Sequence, residues 1–450
     1  MRQTFASYSP SKFSIDITNL KYDGDNFQAE SYPAFVHEYC HYIQDITHIS
    51  SIFGFSLWLR DIVYLTSVFS EGEKKTIEIP LNEDAYGEQY GKFRKFYLIY
   101  CGTGQLERNI KYEELFIDQI QTEIIDIPLD KGVSTIAKNT LTFKNDVTNE
   151  YHFGLIPLQE IQAYYAQKIC EKHLGDKKYD VPTSELMTLP YKLGDLIFSH
   201  HNISASDETK FLITDLCLDT IQAPKIFLAV IEELKNRTLE WERDKKNIFE
   251  IIRAKELEFS FPKHEALNNI IPDITTWSED ETRVHLSKAL KWYLKTIKLA
   301  SDIKENLSPI FFSYPFVMSM DNFLMFNSCF PPPIVVNDKQ FYRYYDKQNP
   351  DQDNIYEEYF QSAATIWMHW ILYDLLTSKT SAEINKKCKC PLFENCEYKE
   401  AVGNEYNCQT APWMNIKENT ETICPYGMAT HSFGLWQNEL DIRIEQNNYS

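Results

Sequence analysis

The chain has 450 residues and a formal net charge of −20, with 43% hydrophobic and 14% aromatic residues. That length allows two or three domains or one large elaborated one, with ample material for a core. It lacks the concentrated Lys and Arg that phosphate backbones demand, and its 14 glycines form neither G-x-x-x-x-G-K-S/T nor G-x-G-x-x-G, so nucleic-acid binding, a P-loop NTPase and a Rossmann enzyme are not expected.

Residues 1–8 carry no apolar signal core, so the expected location is cytoplasmic. No apolar run reaches the length of a membrane span; the richest window, 52–69, holds Arg60 and Asp61 and reads as a buried helix. In chain order, 12–20 alternates like a strand, and 32–50 and 54–69 read as helices. Residues 75–79 form a strand and 86–100 an aromatic helix. From 112 to 153 the pattern turns to β, with a β-branched run at 124–127 and Thr-rich alternation at 134–143. Helical spacing then predominates over 158–173, 184–201, 208–220, 225–254 with breaks, and 279–306. Prolines make 308–346 loop-rich, 348–354 is a polar connector, and 356–378 is an apolar helix in which His369 reads as a core or surface histidine.

The chemistry concentrates in His37-Glu38-Tyr39-Cys40-His41. Side chains at i and i+4 share a helix face, so two imidazoles can reach one Zn²⁺, and the glutamate beside the first can take a proton from a water on the metal. Pro33 suits a first helical turn, and Phe35, Val36, Tyr39, Ile43 and Ile46 supply an apolar stripe. The segment resembles the active-site helix of zincin metallopeptidases, with His37, Glu38 and His41 at the matching positions.

A catalytic zinc site needs a third protein ligand and an open position. The metzincin branch places a Gly and then a third His after the motif; here Gln44 and Thr47 stand there, and His48 comes one residue late, about 10 Å along a continuous helix from His41. The gluzincin branch takes a Glu from a separate downstream helix, often with a small residue three positions on. Glu160 followed by Ala163 is similar to that pattern, with Tyr164 where an acidic partner can stand, and the resemblance implies Glu160 as third ligand. Asp45, one turn after His41, suits a hydrogen bond to a ligand histidine better than direct ligation. Zincins commonly carry a sheet beside this helix, mostly ahead of the motif; here one strand fits ahead of it and the larger β region follows.

Ten cysteines form the second signal. Cys40, Cys101, Cys170, Cys217 and Cys329 sit in apolar contexts and read as buried thiols. Cys388, Cys390, Cys396, Cys408 and Cys424 crowd into one tract, with Cys388 the most dispensable. Metal ligation is the favoured reading, by a structural Zn²⁺ or an iron–sulfur cluster at Cys390, Cys396, Cys408 and Cys424; unligated thiols and disulfides stay open. Tyr426 and His431 in the tail are candidate oxyanion stabilisers if the tail folds over the cleft, and one of His200 and His201 is another.

The expected fold is α+β and predominantly helical: a zincin-like core with the motif helix, a small sheet and a Glu-bearing helix, then a cysteine-rich C-terminal segment. The expected organisation is a metallopeptidase-like core at 1–175, a helical region at 176–307, a loop-rich segment and apolar helix at 308–380, and a metal-binding tail at 381–450. The expected function is zinc-dependent hydrolysis of a protein or peptide substrate, with Glu38 as general base. No nucleic-acid or membrane partner is expected. The rival readings are a non-catalytic protein with an accidental motif and an interaction protein stabilised by metal in the cysteine tract.

Overall fold

The computed structural model describes residues 7–9, 13–16, 32–70, 76–79, 81, 88–102, 115–129, 132–144, 146–174, 189–237, 245–259, 263–280, 283–308, 310–313, 316, 334–337, 340–343, 353–377, 389–391, 393, 405–410, 412, 424–435 and 439–442. The first six residues, the proline triplet at 331–333, most of the polar connector, Cys329, Cys388 and Cys396 lie outside them. The described residues are mostly helical, with three small sheets.

Two short strands, β1 (Ser7–Ser9) and β2 (Ser14–Asp16), precede the motif helix where the sequence suggested one. They pair antiparallel, Tyr8 opposite Ile15. β2 then pairs in parallel with β7 (Ile334–Asn337), which turns back into β8 (Gln340–Arg343). These last two strands fall in the stretch expected to be loop-rich, for which no strand was expected. Pairing with β2, more than 300 residues away in the chain, supplies the ladder hydrogen bonds that no local pattern announces. β3 (Thr76–Ile79) pairs in parallel with β9 (Glu439–Ile442). Segments expected in the core, in the loop-rich region and in the tail therefore share sheets.

The largest sheet is an antiparallel meander of β4 (Ile117–Leu129), β5 (Gly132–Phe143) and β6 (Asp146–Phe153), as the alternation over 112–153 implied. It feeds directly into α4 (Leu155–His173) through Gly154, the residue capping that helix. Here two backbones nearly touch. A Cβ on Gly154 would meet the Gly102 nitrogen at 2.4 Å, and Gly102 itself holds φ +73°. Only glycine tolerates both constraints, so the crossing fixes where α4 begins.

The centre of the molecule is α1 (Tyr32–Thr47), buried on every side except at Ala34. It packs on α4, on α2 (Ile49–Ser70) and on α10 (Val284–Asn306). α4 in turn lies against α5 (Leu189–His200) and α6 (Asp207–Leu218). Ala163 and Ala166 on α4 are fully buried, the small residues that close helix approach calls for. α2 starts at Ile49, five residues before the expected Gly54. Only His48 separates it from α1, and the backbone bonds from His48 to Gln44 and from Ile52 to His48 carry the ladder across. α2 has the length and hydropathy of a membrane span, yet 67% of its apolar window is buried inside the protein.

Around this centre stand α3 (Glu88–Cys101), α7 (Ala223–Lys235), α8 (Lys245–Phe259), α9 (Lys263–Ser278), α11 (Asp353–Leu376), the short α12 (Glu405–Thr410) and α13 (Pro425–Ser432). α9 was not anticipated, because it carries Pro272 in its interior, a residue that removes a ladder donor and normally ends a helix. An aromatic core ties the layers together: Trp58 of α2 stacks on Trp370 of α11 at 4.5 Å, and Phe55 meets Tyr293 of α10 at 4.3 Å.

Candidate metal centre

A helix buried all round must find partners for its polar side chains, because each lost water bond costs free energy in a dry interior. α1 buries His37, Glu38, His41, Gln44, Asp45 and Thr47. His37, Glu38 and His41 each bring a ligand atom to within 4.8 Å of the others. Among the described residues, no such group of three His, Cys, Asp or Glu side chains forms away from this one.

Glu160 enters from α4. Its Oε2 lies 3.2 Å from His37 Nε2 and 3.4 Å from His41 Nε2. These are direct hydrogen-bond or ion-pair contacts, and they also match the spacing of about 3.4 Å between neighbouring N and O ligands of a tetrahedral zinc with bonds of 2.0 to 2.2 Å. Both imidazoles are 5% exposed while the carboxylate keeps 25%, so Glu160 marks the open side of the group.

The charges respond to one another. Burial opposes an imidazolium at His41, but Glu160, Glu38 and the Gln44 amide outweigh it and push His41 up to about 9. Burial also works against a charged Glu160, yet His41 and His37 hold its carboxyl well below the usual range. Glu160 and Glu38 thus make the pocket electronegative around the two imidazoles.

His41 Nδ1 lies 2.8 Å from Gln44 Oε1, one turn further along α1. The Gln44 amide donates to the Gln159 carbonyl at 3.0 Å and to Gln162 Oε1 at 2.7 Å. Gln162 donates to Asp215 Oδ1 of α6 at 2.7 Å, and His48 Nε2 meets the same oxygen at 2.8 Å. Ser313 donates to the other Asp215 oxygen. His48 is thereby committed to Asp215 and lies away from the motif pair. Gln44 thus meets His41, and the Asp45 backbone carbonyl receives the Tyr293 hydroxyl. Gln44, which in sequence marked only a departure from the metzincin pattern, is the side chain that faces His41 Nδ1, a contact that the spacing rule could not reveal.

His37 is held differently. Its Nδ1 is buried and meets no hydrogen-bond partner among the described residues. Its ring instead packs edge-on against Tyr191 of α5, at 5.0 Å. α5 can lie this close to α4 because Gly194 has no side chain: a Cβ there would meet the Tyr165 hydroxyl at 2.6 Å. Glu160, burial and Glu38 together push the Tyr191 phenol far up, keeping it protonated. Tyr151 at the end of β6 is raised too, by burial and by Glu160. Neither tyrosine carried a sequence signal, since both reach the site from other elements.

The remaining candidates sit on other elements, with partners of their own. Tyr426 and His431 are on α13, which packs on α11 and α10; His431 faces His285 at 6.3 Å. His200 Nδ1 meets the Ile117 carbonyl of β4, and His201 meets Glu232 of α7. Cys40, Cys101, Cys170 and Cys217 are buried, as their contexts suggested. In the cysteine tract, the Cys390 N–H donates to the Cys408 carbonyl at 2.9 Å, and Cys424 caps α13 by accepting from the Gly427 N–H. Those three sulfurs do not converge as the motif group does, and Cys396 lies outside the described residues.

Compared with protein-family models, with curated proteins and with solved structures, the chain matches none of them.

Proposed function

We propose that this protein is a zinc-dependent peptidase whose metal is held by His37, His41 and Glu160. The observation that supports this most directly is the approach of Glu160 Oε2 to both motif nitrogens, at 3.2 and 3.4 Å, from 123 residues away from His37 in the chain. The donor set fits the ion: two imidazoles and one carboxylate leave a fourth position open. Zinc bound there supplies the Lewis acidity that brings a water's pKa toward neutrality and polarises a peptide carbonyl.

The chain's own residues do the rest. Glu38 lies within the same 4.8 Å group and accepts the proton of the attacking water, then returns it to the leaving nitrogen. Tyr191, against His37 and kept protonated, donates to the oxyanion that develops on the carbonyl oxygen. The partly exposed Glu160 edge is the side from which a peptide enters.

The test uses purified protein with metal analysis and a mixed peptide substrate. Glu38→Gln retains zinc and loses hydrolysis by roughly 10²- to 10⁴-fold, the usual weight of a general base. His41→Ala loses both zinc and activity. A Glu38→Gln variant that cleaves as fast as wild type overturns the mechanism.

A further inference from the structure

We infer that Gln44 is a positioning residue that fixes the tautomer of His41, and that its own orientation is dictated by the Gln159 carbonyl and, through Gln162, by the Asp215 carboxylate. This rests on the zinc reading of the site. It follows from which atoms can donate. A backbone carbonyl and a carboxylate only accept hydrogen bonds, while a primary amide has one accepting and one donating end. Asp215 faces Gln162 at 2.7 Å, so Gln162 must turn its NH₂ toward it and its oxygen toward Gln44. Gln44 must then turn its NH₂ toward that oxygen and toward the Gln159 carbonyl, 3.0 Å away. Its own oxygen is left facing His41 Nδ1 at 2.8 Å. That nitrogen must carry the hydrogen, so Nε2, the atom that faces Glu160 at 3.4 Å, would be the one to give its lone pair to a bound zinc.

Every group in the chain is buried: Gln44 is 0% exposed, Gln162 1% and Asp215 5%. Water is thus kept from supplying an alternative partner, and reversing one amide would set oxygen against oxygen. Asp215 is anchored in turn by His48 and by Ser313, and burial fails to neutralise it because His48 and Lys304 hold its carboxyl low. Partners of this kind orient metal-binding histidines, and their loss typically costs 10- to 100-fold in metal affinity.

The experiment measures Zn²⁺ affinity by chelator competition, with the ¹⁵N spectrum of histidine-labelled, zinc-loaded protein as a second readout. Gln44→Met is expected to weaken zinc binding by about 10- to 100-fold, and Gln162→Met by less, because the Gln159 carbonyl still orients Gln44. The double variant binds as Gln44→Met does, because the two act in series. Ile213→Ala, a core change on α6 outside the chain of amides, lowers thermal stability and leaves zinc affinity unchanged. Wild-type His41 shows a protonated Nδ1 and a ligated Nε2. A ligated Nδ1, or a Gln44→Met protein with wild-type zinc affinity, overturns the inference and leaves the zinc reading standing. A wild-type protein that binds no zinc at that site overturns both.

Discussion

Two groups of histidines among the described residues behave in opposite ways. At the motif, His37 and His41 lie with Glu38 and Glu160, and His41 is pushed up to about 9. Where α10, α11 and α13 meet, His285 and His431 lie 6.3 Å apart, and His369 feels the charge of His285. Burial lowers them all, His369 to about 4. Burial pushes an imidazole toward its neutral form, as at His369; the carboxylates around His41 reverse that push. The number of histidines is a poor guide to a metal site, and the acids between them are a better one.

The strongest way to break this contrast is to remove the acid. Glu160→Ala is expected to lower zinc affinity on the order of 100-fold or more, beyond what loss of an outer partner costs. Metal analysis after dialysis against a weak chelator checks it. Full zinc retention would mean that the two clusters do not differ in the way argued.

A second experiment reads the other cluster through pH. His369 is held at about 4 against its ordinary 6.5, chiefly by burial. Between those values the unfolded chain binds a proton that the folded chain refuses, so stability rises with pH across this window and is lost as pH falls below 6.5. The contribution is about 3 kcal/mol. His369→Leu should flatten the acid limb of a urea-denaturation series between pH 7 and 4 by about that amount. An unchanged limb would show that the buried imidazole is not the group responsible.

The smallest effects concern the partners of His369. His285→Ala and His431→Ala should leave zinc content unchanged, with stability shifts of about 1 kcal/mol or less for such half-buried positions. Lys288→Glu replaces a cation that lowers His285 with an anion, so an NMR titration should find His285 slightly higher than in wild type. A downward movement would contradict the electrostatic account.

Much of the local structure was legible. The strand alternation of β5, the apolar stripe of α1 and the helical spacing of α4 are consequences of period-2 and period-3.6 burial, which a sequence displays directly. Glu160 was legible only by likeness, through a Glu followed by a small residue on a later helix. β7, β8 and α9 were not legible: the strands depend on a partner hundreds of residues away, and the helix runs through a proline. At the site, Tyr191 and Gln44 were invisible for different reasons. Tyr191 arrives on another helix, seated by Gly194, and Gln44 looks like any polar residue until Gln159 and Gln162 face it.

By itself the sequence determined that two imidazoles and a carboxylate would share one turn of a buried helix, because i and i+4 spacing is a property of the helix and needs no neighbours. Only the tertiary structure decided which acid would close the group, which amide would orient His41 and which histidines would stay neutral. Those outcomes depend on distances between elements and on the exclusion of water between them, and a linear pattern carries neither.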